Sequence, residues 1–155
     1  MQNNITSGGT PIDEILAATE LIVQPEQFIL AGISPEMRVR LDADFSAIKG
    51  EFFQYTVEAD VLTLLVSDND WREISGHYPN AVVEGPLYIF TFSVAMDWQV
   101  VGFLAAVTGL LARAGIPLGA VCGYYRDHLF IDQKYAKQAE ILLRAEIEDC
   151  KQAQK

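Results

Sequence analysis

The stretch that decides the fold reads LYIFTFSVAMDWQVVGFLAAVTGLLARAGIPLGAVCGYYRDHLFI, from Leu87 to Ile131. It opens with the segment Leu87–Val94, which is aromatic and β-branched without a breaker and therefore predicts a strand. Asp97 then stands where a helix N-cap belongs, and the residues after it are apolar with a helical period. The helix predicted from Asp97 ends before Gly115-Ile116-Pro117, because glycine favours a left-handed C-cap and proline cannot continue a helix.

A hairpin and a last helix follow this central helix. Arg126-Asp127 turns the chain between two short segments, and the elements predicted are the strands Ala120–Tyr125 and His128–Ile131 and the helix Gln133–Lys151. The order β-α-β-β-α supplies all but the last element of a ferredoxin-like βαββαβ unit. Since the residues from Cys150 onward are too polar for a buried strand, we expect a strand from the first half, or from another subunit, to cover that sheet edge.

The first half shows a similar arrangement with weaker signals. Thr10 and Pro11 open a short helix that ends near Glu20, and the polar, Gly-rich residues 1–9 predict a frayed end. Residues 35–47 are ambiguous, whereas strands are predicted over Gln27–Ile33, Phe52–Val57 and Val61–Ser67, with Asp68 as the cap of a short helix. The class predicted is therefore α+β, with tandem ferredoxin-like units, antiparallel sheets and helices on one face. We place a degenerate unit at residues 1–80 and a second unit at residues 81–155.

Composition excludes several classes of partner. The 155-residue chain has 11 basic and 21 acidic side chains, and its net charge of −10 repels phosphate groups, which argues against nucleic acid and anionic membranes. Tyr124 and Tyr125 with Phe90 and Phe92 suggest a base-stacking platform, but the charge disfavours that use. The sequence shows neither a signal peptide nor an apolar run of the roughly 20 residues that a membrane span needs, and we expect a cytoplasmic protein.

Residues suited to catalysis are few. The only histidines are His77 and His128, and because neighbouring residues of a strand point to opposite faces, Asp127 and His128 are not expected to pair. Cys122 is expected to be a small buried residue, although it can act with His128 if the two face each other across the hairpin. The sequence has no metal-ligand spacing, no Gly-rich phosphate loop and no nucleophile elbow. We therefore predict that the protein is not an enzyme and has no cofactor, with an undetected active site of Asp127, His128 or Cys122 as an alternative.

Segments of the second half resemble the ACT-domain family, and more narrowly small bacterial proteins of two ACT-like units without an enzyme domain. These segments are Tyr88–Val94 followed by Asp97 and Gly102, then Ala114–Pro117, and then the run GYYRDHLF at Gly123–Phe130. The resemblance implies ACT-type units whose sheets pair side by side and bind an amino acid or similar small effector at the paired interface. It also implies a homodimer and a partner protein regulated in trans. The pocket positions that it implies are Asp97, Trp98, Val101, Gly102, Phe103, Ile116, Leu118, Gly119 and Val121.

Physical properties of these residues support such a site. A helix N-terminus offers free N–H groups and the positive end of its dipole to a ligand carboxylate. Gly102 leaves room for close approach, Asp97 can accept a ligand ammonium group, and Trp98 can form an apolar wall. Two structural explanations stay open, namely Asp97 as a plain N-cap and Gly102 as a helix-packing residue. The segment 116–119 lacks the Asn that many amino-acid-binding ACT domains carry there, which leaves the identity of the effector open.

The function predicted from these observations is non-catalytic regulation by a bound small molecule, an amino acid by resemblance. The alternative is a ligand-free structural or protein-interaction module that acts through its sheet edge or through the small residues of its central helix. Loss of any thermal response to amino acids would favour this second function.

Overall fold

The structure is a computed structural model that describes residues 5–6 and 10–155, with side chains described from residue 10 onward. The frayed end predicted for residues 1–9 lies outside the described residues, except that Ile5–Thr6 forms a short strand. In chain order the elements are β1 (Ile5–Thr6), α1 (Ile12–Ala18), β2 (Leu21–Val23), β3 (Phe28–Ile33), α2 (Arg38–Asp44), β4 (Gln54–Val57), β5 (Leu62–Ser67), α3 (Asp68–Ile74), β6 (Val82–Phe92), β7 (Ala95–Met96), α4 (Phe103–Arg113), β8 (Gly119–Cys122), β9 (Asp127–Asp132) and α5 (Gln133–Ala153).

The chain forms two compact units that are not cut in sequence order. Pro25–Leu87 forms one, called here the inserted unit, and Tyr88–Lys155 joins the chain up to Gln24 to form the other, called the outer unit. Strand β6 contributes its first residues to the inserted unit and its last residues to the outer unit. The division into ACT-like units at residues 1–80 and 81–155 stays a prediction, and the compact units differ from it because the first 24 residues group with the second half.

The outer unit completes the ferredoxin-like pattern with a strand from the start of the chain. Its strand order is β2-β6-β9-β8, in which β2 and β6 are antiparallel, as are β8 and β9. Leu21–Val23 pairs with Phe92–Phe90, so the expectation that a strand from the first half covers this sheet edge is confirmed. Helices α1, α4 and α5 pack on one another, and together with β6 and β9 they enclose a core of buried apolar side chains, among them Leu16, Phe92, Val107, Leu129 and Leu143.

Helix α4 begins six residues later than its sequence predicts. Asp97 is not its N-cap: the Asp97 Oδ1 atom accepts a hydrogen bond from the Gln99 N–H at 2.8 Å and so closes a turn before the helix. The helix begins at Phe103, and its N-cap is Gly102, whose φ of 97° lies in the left-handed region that favours glycine. Because Val101 precedes the helix it is 82% exposed, whereas the buried face of the helix consists of Phe103, Val107 and Leu111.

The inserted unit contains a complete βαββαβ order, formed by β3, α2, β4, β5, α3 and the first part of β6. Its strand order is β4-β5-β3-β6, and each adjacent pair is antiparallel. The ambiguous residues 35–47 form α2 between two single 3₁₀ turns. Asp68 does not cap α3, because the hydroxyl of Ser67 accepts the hydrogen bond from the Asp70 N–H at 3.2 Å.

Two buried carboxylates fasten this unit internally. Asp44 is 6% exposed and accepts hydrogen bonds from the Tyr78 hydroxyl at 2.6 Å and from Arg40 Nη2 at 2.7 Å, while His77 Nδ1 lies 2.9 Å from its other oxygen. Asp70 accepts hydrogen bonds from the N–H groups of residues 49 and 50 at 3.1 and 2.8 Å. Buried charges of this kind persist only where such partners compensate for lost hydration, so both carboxylates restrict the loops around them.

Some further expectations concern single side chains. Cys122 was expected to be buried, but it is exposed at the end of the edge strand β8, and the buried cysteine is Cys150. Phe90 and Phe92 are fully buried and therefore cannot form a base-stacking surface. None of the helices in the described parts of the chain combines the length and the apolar character that crossing a membrane requires.

Candidate functional site

An open groove lies in the outer unit where the N-terminus of α4 faces the turn between β8 and β9. It consists of two adjoining depressions of about 240 and 610 Å³ that share several lining residues. The residues that line it come from the loop after β6, the first turn of α4 and the hairpin turn: Met96, Asp97, Trp98, Val100, Gly102, Phe103, Leu104, Ala105, Cys122, Gly123, Tyr124, Tyr125, Arg126 and Asp127.

Backbone hydrogen bonds hold the two sides of the groove together. The N–H of Met96 donates to the carbonyl of Tyr125 at 2.9 Å, and the N–H of Gly123 donates to the carbonyl of Arg126 at 2.8 Å. Arg126 Nε donates to the carbonyl of Ser93 at 3.1 Å. The loop after β6 and the hairpin turn are therefore fixed against each other, so the groove has a preformed shape.

The first turn of α4 points unpaired backbone donors at this groove. No side chain in the described part of the chain caps the helix, and its first helical hydrogen bond runs from the Ala106 N–H to the Gly102 carbonyl at 2.9 Å. The N–H groups of Phe103, Leu104 and Ala105 therefore have no partner within the helix. By contrast, α5 carries Asp132 as a capping side chain. The bare end of α4 provides a partial positive charge that suits an anion.

Charged and aromatic side chains complete the lining. Asp97 and Asp127 bring carboxylates to the groove, and Arg126 brings a guanidinium group. Trp98 is 96% exposed and Tyr124 is 90% exposed, and both line the groove. Groups of both signs beside exposed aromatic rings allow the site to hold a small zwitterion with an apolar part.

The structure brings together four of the nine residues predicted for the site. Asp97, Trp98, Gly102 and Phe103 line the groove, and their role in binding stays a prediction. The other five lie outside its lining. Val101 projects from the protein surface, Ile116 is buried in the core, Leu118 packs against that core, Gly119 lies beneath the ring of Phe130, and Val121 lies opposite His128 on the neighbouring strand.

Sequence reasoning missed the hairpin turn from Cys122 to Asp127, which forms one side of the groove. The signal was available, because Gly123–Phe130 is the run that carried the family resemblance. The turn belongs to the site because β8 and β9 pair with Cys122 opposite Asp127, which places the connection between them beside the start of α4.

The side chains of the alternative active site do not converge. In the β8–β9 pair Cys122 lies opposite Asp127, whereas His128 lies opposite Val121 and so points to the other face of the sheet. There His128 Nδ1 lies 2.9 Å from the hydroxyl oxygen of Thr91. Partial burial, together with a hydrogen bond to Asp127 and the charge of that carboxylate, raises the pKa of the Cys122 thiol. A thiol without a facing histidine and with a raised pKa is a poor nucleophile.

Alkylation of Cys122 is expected to be slow at pH 7, since a raised pKa leaves less thiolate than an unperturbed cysteine has. The rate with iodoacetamide, followed by peptide mass spectrometry that separates Cys122 from Cys150, should rise continuously as pH increases from 7 to 9.5. The urea-unfolded chain is the control, and its Cys122 should react faster at pH 7. A folded-state rate above the unfolded rate at pH 7 would contradict this expectation.

Comparisons with known proteins agree with this geometry. A model of the ACT domain family matches residues 82–145, which include every lining residue of the groove. The fold is similar to that of a Vibrio cholerae protein of unknown function, a possible transport protein, with a TM-score of 0.68 and 20% identity over 91% of this chain and 99% of that chain. It is also similar to the regulatory subunit of aspartate kinase from Thermus flavus, with a TM-score of 0.63 and 10% identity over 81% of this chain and 95% of that chain.

A third similar structure is a protein from Agrobacterium tumefaciens, with a TM-score of 0.63 and 18% identity over 83% of this chain and 89% of that chain. No curated protein sequence matches the chain significantly. The structural similarities concern the fold, which is that of ACT-type regulatory domains. Through the match at residues 82–145 and this shared fold, the chain belongs to the ACT-domain family.

Proposed function

We propose that this protein is a non-catalytic regulator that binds an amino acid in the groove of the outer unit, at an interface between ACT units. Two copies of the chain supply that interface, and the bound homodimer acts on a partner protein in trans. Binding shifts the population toward one arrangement of the paired units, and a preference of a few kcal/mol is sufficient for such a switch.

The observation that carries this proposal is the pairing of opposite charges across the groove. The bare N-terminus of α4 suits a ligand carboxylate, and Asp97 and Asp127 suit a ligand ammonium group. An α-amino acid presents both groups on one carbon atom. The groove of about 240 Å³ lies below the roughly 300–1,000 Å³ typical of sites for drug-sized ligands, so it suits a ligand of this size.

Exposed apolar side chains beside the groove support the involvement of a second copy. Trp98, Val101 and Tyr124 are 96%, 82% and 90% exposed in the single chain. Clustered apolar side chains of this kind mark interaction surfaces, since their contact with water is unfavourable. A second copy seated on them covers the open side of the groove and the ligand within it.

Thermal melting with each of the twenty amino acids tests the proposal. Ligand at 100 times its dissociation constant adds about 2.7 kcal/mol of stability. In a chain of this length that amount is expected to raise the midpoint by roughly 5–10 °C. Asp97→Asn should weaken the response, because Asn can still accept the hydrogen bond from Gln99 but lacks the charge for an ammonium group.

Asp60→Asn is the matched control, since Asp60 is an exposed aspartate in the β4–β5 turn of the inserted unit, and its response should equal that of the wild type. A midpoint that does not change with any amino acid would reject the proposal. An unchanged response in Asp97→Asn would remove that carboxylate from the site.

A ligand-free interaction module is the second candidate function, and the exposure of Trp98, Val101 and Tyr124 favours it. Sedimentation velocity separates the two functions. A homodimer that dissociates in Trp98→Ala but is insensitive to every amino acid identifies an interaction module, whereas a dimer strengthened by one amino acid identifies the regulator. Val39→Ala, which changes an exposed apolar residue of the inserted unit, should leave the dimer intact.

A further inference from the structure

We infer that the effector is an aromatic amino acid rather than an acidic or aliphatic one. This inference rests on the proposed function, because it takes the groove as an amino-acid site and asks which side chain the groove selects. The chemistry of the lining answers that question separately from the groups that hold the ligand's ammonium and carboxylate.

The lining is rich in flat or polarizable apolar side chains. Trp98, Phe103, Tyr124 and Tyr125 contribute aromatic rings, and Met96 contributes a thioether. The rings of Tyr124 and Tyr125 are 4.8 Å apart at an interplanar angle of 85°, which leaves ring faces and edges directed at different sides. Aromatic pairs gain about 0.5–1.5 kcal/mol beyond the area they bury, and thioethers also contact aromatic rings favourably.

The exposed state of two rings indicates that they lack a partner of the right shape. Trp98 and Tyr124 are almost fully exposed although both border the groove. An aliphatic side chain covers these rings less completely than a planar one does, because stacked or edge-to-face contact uses the whole ring surface. A planar ligand side chain between them removes the most apolar surface from water.

Charge in and around the groove disfavours acidic ligands. Asp97 and Asp127 line it, and the whole chain carries a net charge of −10. A second carboxylate on the ligand meets these charges at short range, where like charges repel. Arg126 is the one basic side chain in the lining, and its Nε is already bonded to the carbonyl of Ser93.

Fluorescence of Trp98 provides a direct test. The chain has two tryptophans, and Trp71 is 9% exposed in the core of the inserted unit, so that Trp71→Phe leaves Trp98 as the only indole emitter. Addition of L-phenylalanine should shift the Trp98 emission to shorter wavelength as the ring leaves water. L-Phenylalanine should bind at least about tenfold more tightly than L-leucine or L-aspartate. Thermal melting of the wild-type chain with the same amino acids checks the ranking without any substitution.

Tyr124 is the variant site that isolates the aromatic wall. Tyr124→Ala should weaken L-phenylalanine binding at least about tenfold, and Tyr124→Phe should restore it. Because Tyr124 is 90% exposed, neither change should move the midpoint of the unliganded protein. Phe53→Ala, which removes a half-exposed aromatic ring from the inserted unit, is the control and should bind L-phenylalanine like the wild type.

The outcomes distinguish this inference from the function on which it rests. If L-leucine, L-aspartate or L-lysine binds as tightly as L-phenylalanine, the aromatic class is overturned while amino-acid binding stands. If Tyr124→Ala binds L-phenylalanine with unchanged affinity, the aromatic wall is overturned. If no amino acid binds at millimolar concentration, both the inference and the proposed function fail.

Discussion

Removal of residues 1–24 is expected to unfold the outer unit, although the family match at residues 82–145 includes none of them. Ile15, Leu16 and Leu21 from this segment are at most 4% exposed and belong to the core of that unit. Burial of each such side chain contributes about 1.5–3 kcal/mol, and whole domains are stable by only about 5–15 kcal/mol. The loss also leaves Phe90–Phe92 of β6 without its β2 partner.

Circular dichroism and amide NMR spectra of the fragment 25–155 measure this effect. The signals of residues 88–155 should collapse to narrow dispersion, and a synthetic peptide of residues 10–24 should restore them. Point variants supply a graded control: Leu16→Ala should cost about 2–5 kcal/mol as a buried truncation, whereas Ile22→Ala, at a position that is 41% exposed, should cost less than about 1 kcal/mol. Native spectra from the fragment alone would show that residues 88–155 fold without the N-terminal segment.

Replacement of Asp44 by Ala is expected to destabilise the inserted unit by about 3–5 kcal/mol, the cost of breaking a buried charged pair. The change leaves the Tyr78 hydroxyl and the Arg40 guanidinium without the carboxylate that they contact at 2.6 and 2.7 Å. Urea unfolding measured by the fluorescence of Trp71, in a Trp98→Phe background, reports on this unit. Asp42→Ala is the matched control, because Asp42 is an exposed aspartate on the same helix, and it should change stability by less than about 0.5 kcal/mol.

Acid should weaken the same cluster with a defined sign. Burial acts to raise the pKa of Asp44, but hydrogen bonds from Tyr78, Arg40 and His77 outweigh it and hold this pKa below its ordinary value. A lowered folded-state pKa contributes stability that is present above the unfolded-state pKa of about 3.9 and is lost as pH falls through the folded-state value. The wild type should therefore lose more stability than Asp44→Asn between pH 6 and pH 3. Equal losses in the two proteins would show that Asp44 does not titrate in the cluster.

Local sequence patterns predicted most elements of the second half, because each had a clear period and a clear stop. The strands around Phe90 and Leu129 and the last helix lie close to their predicted bounds. The start of α4 was predicted wrongly because an aspartate that closes a turn and one that caps a helix make similar hydrogen bonds to the backbone. What distinguishes them is the left-handed φ of Gly102, which a single sequence does not reveal.

Long-range pairing accounts for most of what sequence could not predict. The three-residue strand Leu21–Val23 is too short to show a period, and its partner Phe90–Phe92 lies almost seventy positions away. The site depends on similar pairing, since the hairpin turn meets the start of α4 only in the folded unit. Asp97, Trp98, Gly102 and Phe103 were predicted because they are consecutive or nearly so along the chain, whereas Tyr124 and Asp127 were not.

The divided outer unit has a consequence for synthesis on the ribosome. Helix α1 and strand β2 emerge first, and the inserted unit can fold as soon as its own residues have emerged. The outer core must wait for α5, the last element to be translated. At roughly 5–20 residues per second, Ile15, Leu16 and Leu21 therefore stay uncovered for several seconds on every nascent chain. The part of the protein that is made first thus completes its folding last, and during translation it is the segment most in need of a chaperone.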